Sequence, residues 1–275
     1  METYVQSTDY MLGRSLSERH RLRLQGRLIS DITRHFLEAI GLSAGMRVLD
    51  VGSGVGDVAV LATRLVGPSG EVVGIDSDPA VLELAQQRAA DEGLANLRFQ
   101  LCDLREYKTP SYYDAVIGRC ILLHQTNPLS TVKAVLNHVR PGGTVAFQEP
   151  CFSRAFSLPE APLFQEILRQ LHEVMAASGL DRDVGARLPS LFLAAGLPRP
   201  KLSFEMLLDS GPESEIYDLC VDTMQSLLPK IENLGISSTE KIGIDSLDDR
   251  LRTEASTLDS TIGVMPLVGA WSLRQ

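Results

Sequence analysis

An apolar run, Val48-Leu49-Asp50-Val51, enters a turn with glycines at alternate positions, Gly52, Gly54 and Gly56. A second apolar run, Val72-Val73-Gly74-Ile75, ends in Asp76, twenty residues past the last of those glycines. A strand that turns through glycines into a helix, followed by a strand ending in an acid, is how a doubly wound sheet holds the adenosine half of a cofactor. Glycines allow the sharp turn and the close approach of backbone to ligand. The spacing also bears on which cofactor. A pyrophosphate site needs Gly-x-Gly-x-x-Gly ahead of a helix N-terminus, and here the third glycine position is Asp57. A carboxylate there repels a pyrophosphate, and Asp50 adds negative charge. The loop therefore suits a ligand without phosphates and with positive charge, and S-adenosylmethionine, with its sulfonium and ammonium, meets both conditions.

The rest of the chain supports a sheet around that loop. Strand patterns at 46–51, 71–75, 97–101, 113–118 and 144–148 alternate with helical patterns at 56–66, 78–92 and 129–138. That alternation predicts a parallel sheet. Pro79 suits the first turn of its helix, and Pro141-Gly142-Gly143 predicts a turn before the fifth strand. Strands near 201–208 and 264–273 complete the prediction. The fold expected is α/β, a Rossmann-like, doubly wound, mostly parallel seven-stranded sheet with an antiparallel last strand and a helical cap. Residues 1–43 read as an N-terminal helical arm or lid and 44–150 as the cofactor-binding core. Residues 151–275 read as the remainder of the core with helical insertions at about 151–190 and 213–257. Ligands bind at the carboxyl ends of such strands, so a cap there would close a substrate chamber.

Composition narrows the class. With 275 residues, 44% of them hydrophobic, the chain is long enough for a sizeable core. A net charge of -9 argues against a general nucleic-acid binder, which needs clustered Lys and Arg. The exception, a run of arginines between Arg14 and Arg34, reads as a solvated helix face. Cys102, Cys120, Cys151 and Cys220 form no Cys-x-x-Cys pair, and no metal-ligand spacing is evident. No stretch has the length and apolarity of a membrane span, and no leader peptide is evident, so a cytoplasmic protein with no membrane partner is expected.

Several residues carry candidate chemistry. Asp76 can accept both ribose hydroxyls as charge-assisted hydrogen bonds. Asp103, just past the third strand, is as much a surface turn acid as an acceptor for an adenine amino group. Arg119, at the end of the fourth strand, could bind a carboxylate or form an ion pair that holds its loop. For a proton acceptor the candidates are His124, since an unperturbed imidazole is the side chain that titrates near neutrality, then Glu149 at the end of the fifth strand, then His172 on a cap helix. Each is also open to a structural role, such as a packed histidine bonded to backbone. No metal is expected.

The chain resembles the class I S-adenosylmethionine-dependent methyltransferases of the small-molecule type. The resemblance rests on Val48 to Gly56, on Val73-Gly74-Ile75-Asp76-Ser77-Asp78, on Cys102-Asp103-Leu104, on Tyr113 to Arg119 with Leu123-His124, and on Leu136 to Gly143. It covers residues 44–150 well and fades to topology beyond. It implies cofactor contacts at Ser53, Ser77, Cys102 and Leu104 besides those named above. Tyr10-Met11-Leu12-Gly13 with Glu18, Arg21-Leu22 and Gln25 is similar to the arm of such enzymes, which implies that Tyr10 and Gln25 lie near the cofactor. The activity implied is transfer of a methyl group to a small organic metabolite by in-line displacement, with oxygen as the first expectation for the acceptor atom and carbon or nitrogen next. Two rivals stay open, a nicotinamide-dependent oxidoreductase and a non-catalytic cofactor-binding scaffold. A related alternative is a non-methylating reaction of the same cofactor. A homodimer through the cap helices is a further expectation.

Overall fold

The computed structural model describes residues 16–109 and 111–275. In chain order the elements are α1 (Leu16–Leu28), α2 (Ser30–Ala39), β1 (Arg47–Val51), α3 (Asp57–Val66), β2 (Glu71–Asp76), α4 (Pro79–Asp91), β3 (Leu97–Leu101), β4 (Tyr113–Arg119), α5 (Pro128–Val135) and β5 (Val139–Pro150). They continue with β6 (Phe156–Leu158), α6 (Pro162–Ala177), α7 (Val184–Ala194), β7 (Lys201–Ser210), α8 (Ile216–Asn233), α9 (Thr239–Ile242), α10 (Leu247–Leu258) and β8 (Thr261–Leu273). They divide into two compact units. Of the described residues, the sheet unit comprises those within 26–150, 184–205 and 267–275; the helical unit comprises 16–25, 151–183 and 206–266.

In the sheet unit the strands lie in the order β3-β2-β1-β4-β5-β8. Strands β1 to β5 are parallel, and β8 runs antiparallel to β5, with Thr144 opposite Leu273 and Pro150 opposite Leu267. This is the α/β sheet that the alternating pattern predicts. The near-continuous apolar strands are explained by burial on both faces: in β1, Val48, Leu49, Asp50 and Val51 are all buried. One side of the core packs Val58, Ala59, Ala62 and Val66 of α3 and Phe36, Leu37 and Ile40 from α2 and its end against Val48, Val72, Ala115, Ile117 and Ala146. Trp271 on β8 meets Phe36 edge-on at 6.2 Å. Helix α4 begins as its sequence indicates, with Asp78 capping the Ala80 amide and Pro79 in the first turn.

Three boundaries differ from expectation. Strand β5 starts at Val139, since the Pro141-Gly142-Gly143 turn is taken up within the strand as Gly142 and Gly143 bond the Arg274 backbone. The region 151–190 is not wholly helical. Within the helical unit, Phe156–Leu158 pairs with Thr261–Gly263, which adds an eighth strand. The chain also divides at residue 25, so α2 belongs to the sheet unit instead of to an arm.

In the helical unit, α6 packs on α8 and α10 packs on both. Glu254 of α10 accepts from the Leu163 and Phe164 amides at the start of α6, so orphan donors of one helix are satisfied by another. Among the described residues no helix is long and apolar enough to cross a membrane.

Candidate active site

The glycine loop lies at the carboxyl ends of β1 and β2. Gly52 and Ser53 donate backbone N–H bonds to the Ile75 carbonyl at 2.9 and 3.0 Å, and Gly56 donates to the Ser53 carbonyl at 2.9 Å. Gly52, Gly54 and Gly56 have φ of 68°, 51° and 85°, the left-handed region that residues with a Cβ rarely enter. At Gly52 space matters as well, because a Cβ would lie 2.6 Å from Ile121 Cδ1. At Gly54 a Cβ would meet nothing within 4 Å. The loop is thus backed by packed side chains at Gly52 and open at Gly54.

Asp76 is bonded at both oxygens. Its Oδ2 accepts the Gly54 amide and its Oδ1 the Asp78 amide, each at 2.9 Å. Burial raises its pKa, opposed by those amides. Each oxygen keeps a further lone pair. Asp50 is 1% exposed. Burial pushes its pKa up to about 8, Arg119 pulls it down, and Asp76 pushes it up. Its Oδ2 has no hydrogen-bond partner, and the Ser53 hydroxyl is likewise buried without one. A buried carboxylate oxygen left over beneath a glycine loop is an unusual feature in a folded protein. A cation beside it would favour its ionised form, and a phosphate would oppose it. These observations fit S-adenosylmethionine: an open glycine position, an acid at the end of β2, and surplus acceptor capacity close by.

Asp50 also makes stability depend on pH. Its folded pKa lies above the unfolded value of 3.8, so the folded state binds the extra proton. The stabilising contribution is full below about pH 4 and is lost as the pH rises toward 8. The ligand-free protein is expected to lose stability from this group as the pH rises through neutrality toward 8. Thermal melts of the parent and Asp50→Asn check this: the variant should show a flatter slope, and an unchanged slope would contradict it.

The other candidates are placed as follows. Asp103 accepts from the backbone and the guanidinium of Arg105, each at 2.9 Å, and the Arg105 bond holds its carboxyl below the usual range. Asp103 is thus ion-paired with Arg105 in the turn after β3. Cys102 bonds its amide to the Asp76 carbonyl at 2.9 Å and its thiol to the Asp103 carbonyl at 3.3 Å; burial raises the thiol pKa. Leu104 is half-buried and Ser77 is exposed. Arg119 donates to Thr33 Oγ1 at 2.7 Å and lies 3.6 Å from Asp57 Oδ2, so it forms an ion pair that ties α2 to the start of α3. Asp57 also accepts from Arg88 at 2.5 Å. Its charge is therefore compensated by two guanidinium groups, and Asp57 itself is not the repulsive element that the sequence suggested. Gly26 makes room for Asp57, because a Cβ there would fall 2.0 Å from Asp57 Oδ2.

His124 is half-buried at the end of the single helical turn Leu122–His124 that follows β4. Glu149 is fully buried, and its oxygens accept the amides of Ile121, Leu122 and Leu123 at 2.9, 2.8 and 3.2 Å. Burial pushes it up to about 8 against those bonds. The longest of the three bonds falls on Oε2. His172 and Gln25 belong to the helical unit. Burial lowers the His172 pKa, and its Nε2 has no hydrogen-bond partner. Gln25 accepts from Arg21 at 2.6 Å beside the Arg21–Glu18 pair. Tyr10 lies outside the described residues. No cluster of His, Cys, Asp or Glu among the described residues could hold a metal.

Ile121 and the strained Cys120, φ 53°, carry no signal in the sequence. Neither does the partnership of Thr33 and Arg88 with Arg119 and Asp57.

A family model described as a methyltransferase domain matches residues 42–186. Over 118 residues the chain is 34% identical to the ubiquinone/menaquinone biosynthesis C-methyltransferase UbiE of Pseudomonas putida, an alignment covering 42% of this chain and 46% of that protein. The chain thus spans about half the length of the first of the curated relatives it matches. Among solved structures, phosphoethanolamine N-methyltransferase 2 of Haemonchus contortus, in complex with phosphomonomethylethanolamine and S-adenosylhomocysteine, aligns with a TM-score of 0.53 at 16% identity, over 89% of this chain and 52% of that one. The [4+2]-cyclase SpnF aligns with a TM-score of 0.50 at 17% identity, over 89% of this chain and 81% of that one. These two show a shared fold.

Proposed function

The chain belongs to the methyltransferase-domain family, of the S-adenosylmethionine-dependent class, and from that premise we propose that it transfers a methyl group to a small organic acceptor. The observation that carries the reading is the glycine loop with its surplus acidic oxygens, a site for a ligand that is adenosyl at one end and cationic at the other. The named C-methyltransferase relative favours carbon as the acceptor atom over the oxygen that the sequence first suggested.

When bound, S-adenosylmethionine supplies an electrophilic methyl group on a good leaving group. The protein's part is mainly orientation and exclusion of water. In this reading Asp76 takes the ribose hydroxyls, the backbone at Gly52 to Gly54 lines the adenosyl group, and Asp50 gives up its proton when the cationic end of the ligand binds beside it. Ser53, Ser77, Cys102, Asp103 and Leu104 are the remaining cofactor contacts that the family resemblance implies. Among the acid–base candidates, Glu149 has no exposed atom and its oxygens are engaged by amides, so direct exchange with an acceptor is closed to it. His124 lies on the turn past β4, at the end of the sheet where such folds bind ligands. We assign it as the proton acceptor for acceptors that must lose a proton.

The experiment is a screen of small organic acceptors with S-adenosylmethionine carrying a labelled methyl group. Once an acceptor is found, His124→Ala is expected to lower kcat by about a hundredfold or more, as loss of a general base does. Parental turnover in that variant would remove His124 from the chemistry. The cyclase neighbour has the same fold under a different named activity. Tight cofactor binding with no transfer to any acceptor would favour a non-methylating use of the site.

A further inference from the structure

We propose that Glu149 is a positioning residue for the cofactor loop: through the amides of residues 121–123 it holds the Ile121 side chain against Gly52. The inference rests on the reading of that loop as the cofactor site.

A buried carboxyl group is costly, and an apolar side chain of similar size would fill its place at less cost. What an apolar residue could not do is satisfy three successive backbone donors. Without Glu149 the amides of Ile121, Leu122 and Leu123 would lose their acceptor, two of them at residues buried in the sheet unit. The segment they belong to begins under strain. Cys120 has φ 53°, an unusual backbone for a residue with a Cβ. Such a conformation persists only where the surroundings over-determine it. Here it is held from both ends, by the Cys120 amide on the Gln148 carbonyl at 2.9 Å and by Glu149 on the next three amides.

The held segment presents Ile121 to the loop. A Cβ at Gly52 would meet Ile121 Cδ1, Cγ1 and Cβ at 2.6, 3.0 and 3.2 Å, and one at Gly118 would meet Ile121 Cγ2 at 3.0 Å. Ile121 therefore sits where any side chain on Gly52 would have to go. A chain of contacts runs from the end of β5, through the amides after β4, to the first glycine after β1. Removing the Glu149 acceptors frees Ile121 and takes away the support of Gly52.

The test uses the full chain and S-adenosylhomocysteine as the probe. Binding is measured by calorimetry for the parent, Glu149→Gln, Glu149→Leu and Ile121→Ala. The Gly52 amide resonance and hydrogen exchange at residues 121–123 are followed without ligand. Glutamine keeps an oxygen for the Ile121 and Leu122 amides, so its affinity should stay within about threefold of the parent. Leucine removes every acceptor and should weaken binding about tenfold or more, with faster exchange at 121–123 and a shifted Gly52 resonance. Ile121→Ala should shift the same resonance and weaken binding. The Glu149→Leu, Ile121→Ala double variant should be hardly weaker than the worse single one, since both act through one contact.

Parental affinity in Glu149→Leu or Ile121→Ala, additive losses, or a glutamine variant as weak as the leucine one would each overturn the proposal. If Glu149→Leu does not fold, Ile121→Ala decides, and an unmoved Gly52 resonance there overturns it. A parent that fails to bind S-adenosylhomocysteine strikes the cofactor reading instead; the ligand-free resonance and exchange data still decide whether the clamp exists.

Discussion

Replacing Asp76 by alanine is expected to weaken binding of S-adenosylhomocysteine by about a hundredfold or more. Two losses coincide at this residue. The proposed bonds to the ribose hydroxyls disappear, and each bond to a charged acceptor contributes about 1.5–3 kcal/mol. The Gly54 amide also loses Asp76 Oδ2, its acceptor at 2.9 Å, so the open end of the glycine loop is released together with the contact. Asp76→Asn separates the two. It keeps an oxygen for one amide but offers a donor where the carboxylate offered an acceptor, so an intermediate loss is expected. Calorimetric titration of both variants is the check. Parental affinity in Asp76→Ala would show that the acid at the end of β2 serves only its own turn.

Gly185→Ala is expected to be the most destabilising single-methyl change in the sheet unit. Gly185 lies in the first turn of α7, where a Cβ would fall 2.4 Å from the Glu149 carbonyl oxygen and 2.8 Å from that of Pro150. Both obstacles are backbone, so no rotamer change relieves them, and α7 would have to move off the end of β5. Overpacking of this kind costs about 3 kcal/mol. For a chain of this size that lowers Tm by roughly 10 °C. A scan of the ligand-free variant checks the figure, and an unchanged Tm would show that α7 has room for a methyl group against the end of β5. The same displacement would disturb Glu149, so cofactor affinity should fall along with Tm.

Much of the sheet unit was legible because its signals are local. Three glycines at alternate positions, an acid closing the second apolar run, and Asp78-Pro79 at a helix start each specify backbone geometry from neighbouring residues alone. β1 and β2 lie within a residue or two of where the pattern put them. The short strand β6 was not legible, since three residues among helical patterns carry too little periodicity to be told from a loop. Nor was the division at residue 25, which depends on contacts between segments far apart in sequence.

The candidate site divides in the same way. Asp76 could be placed at the glycine loop from spacing, but the partners of the charged residues could not. Asp57 looked repulsive because Arg88 and Arg119 lie 31 and 62 residues away in sequence, and nothing local announces that they converge on it. Glu149 looked like an acid at a cleft edge. Its burial and its three amides depend on how β4 turns after Arg119, at a residue whose left-handed backbone is not written in its type. Asp103 and Arg119 each had two readings, and the structure puts both in ion pairs.

The central claim is that the glycine loop holds an adenosyl, phosphate-free, cationic cofactor. Calorimetric titration of the full chain with S-adenosylmethionine, S-adenosylhomocysteine and NADH tests it most directly. Micromolar binding of both adenosyl compounds, with none of NADH, is the expected result. Binding of NADH alone, or of none of the three to a demonstrably folded sample, would contradict it.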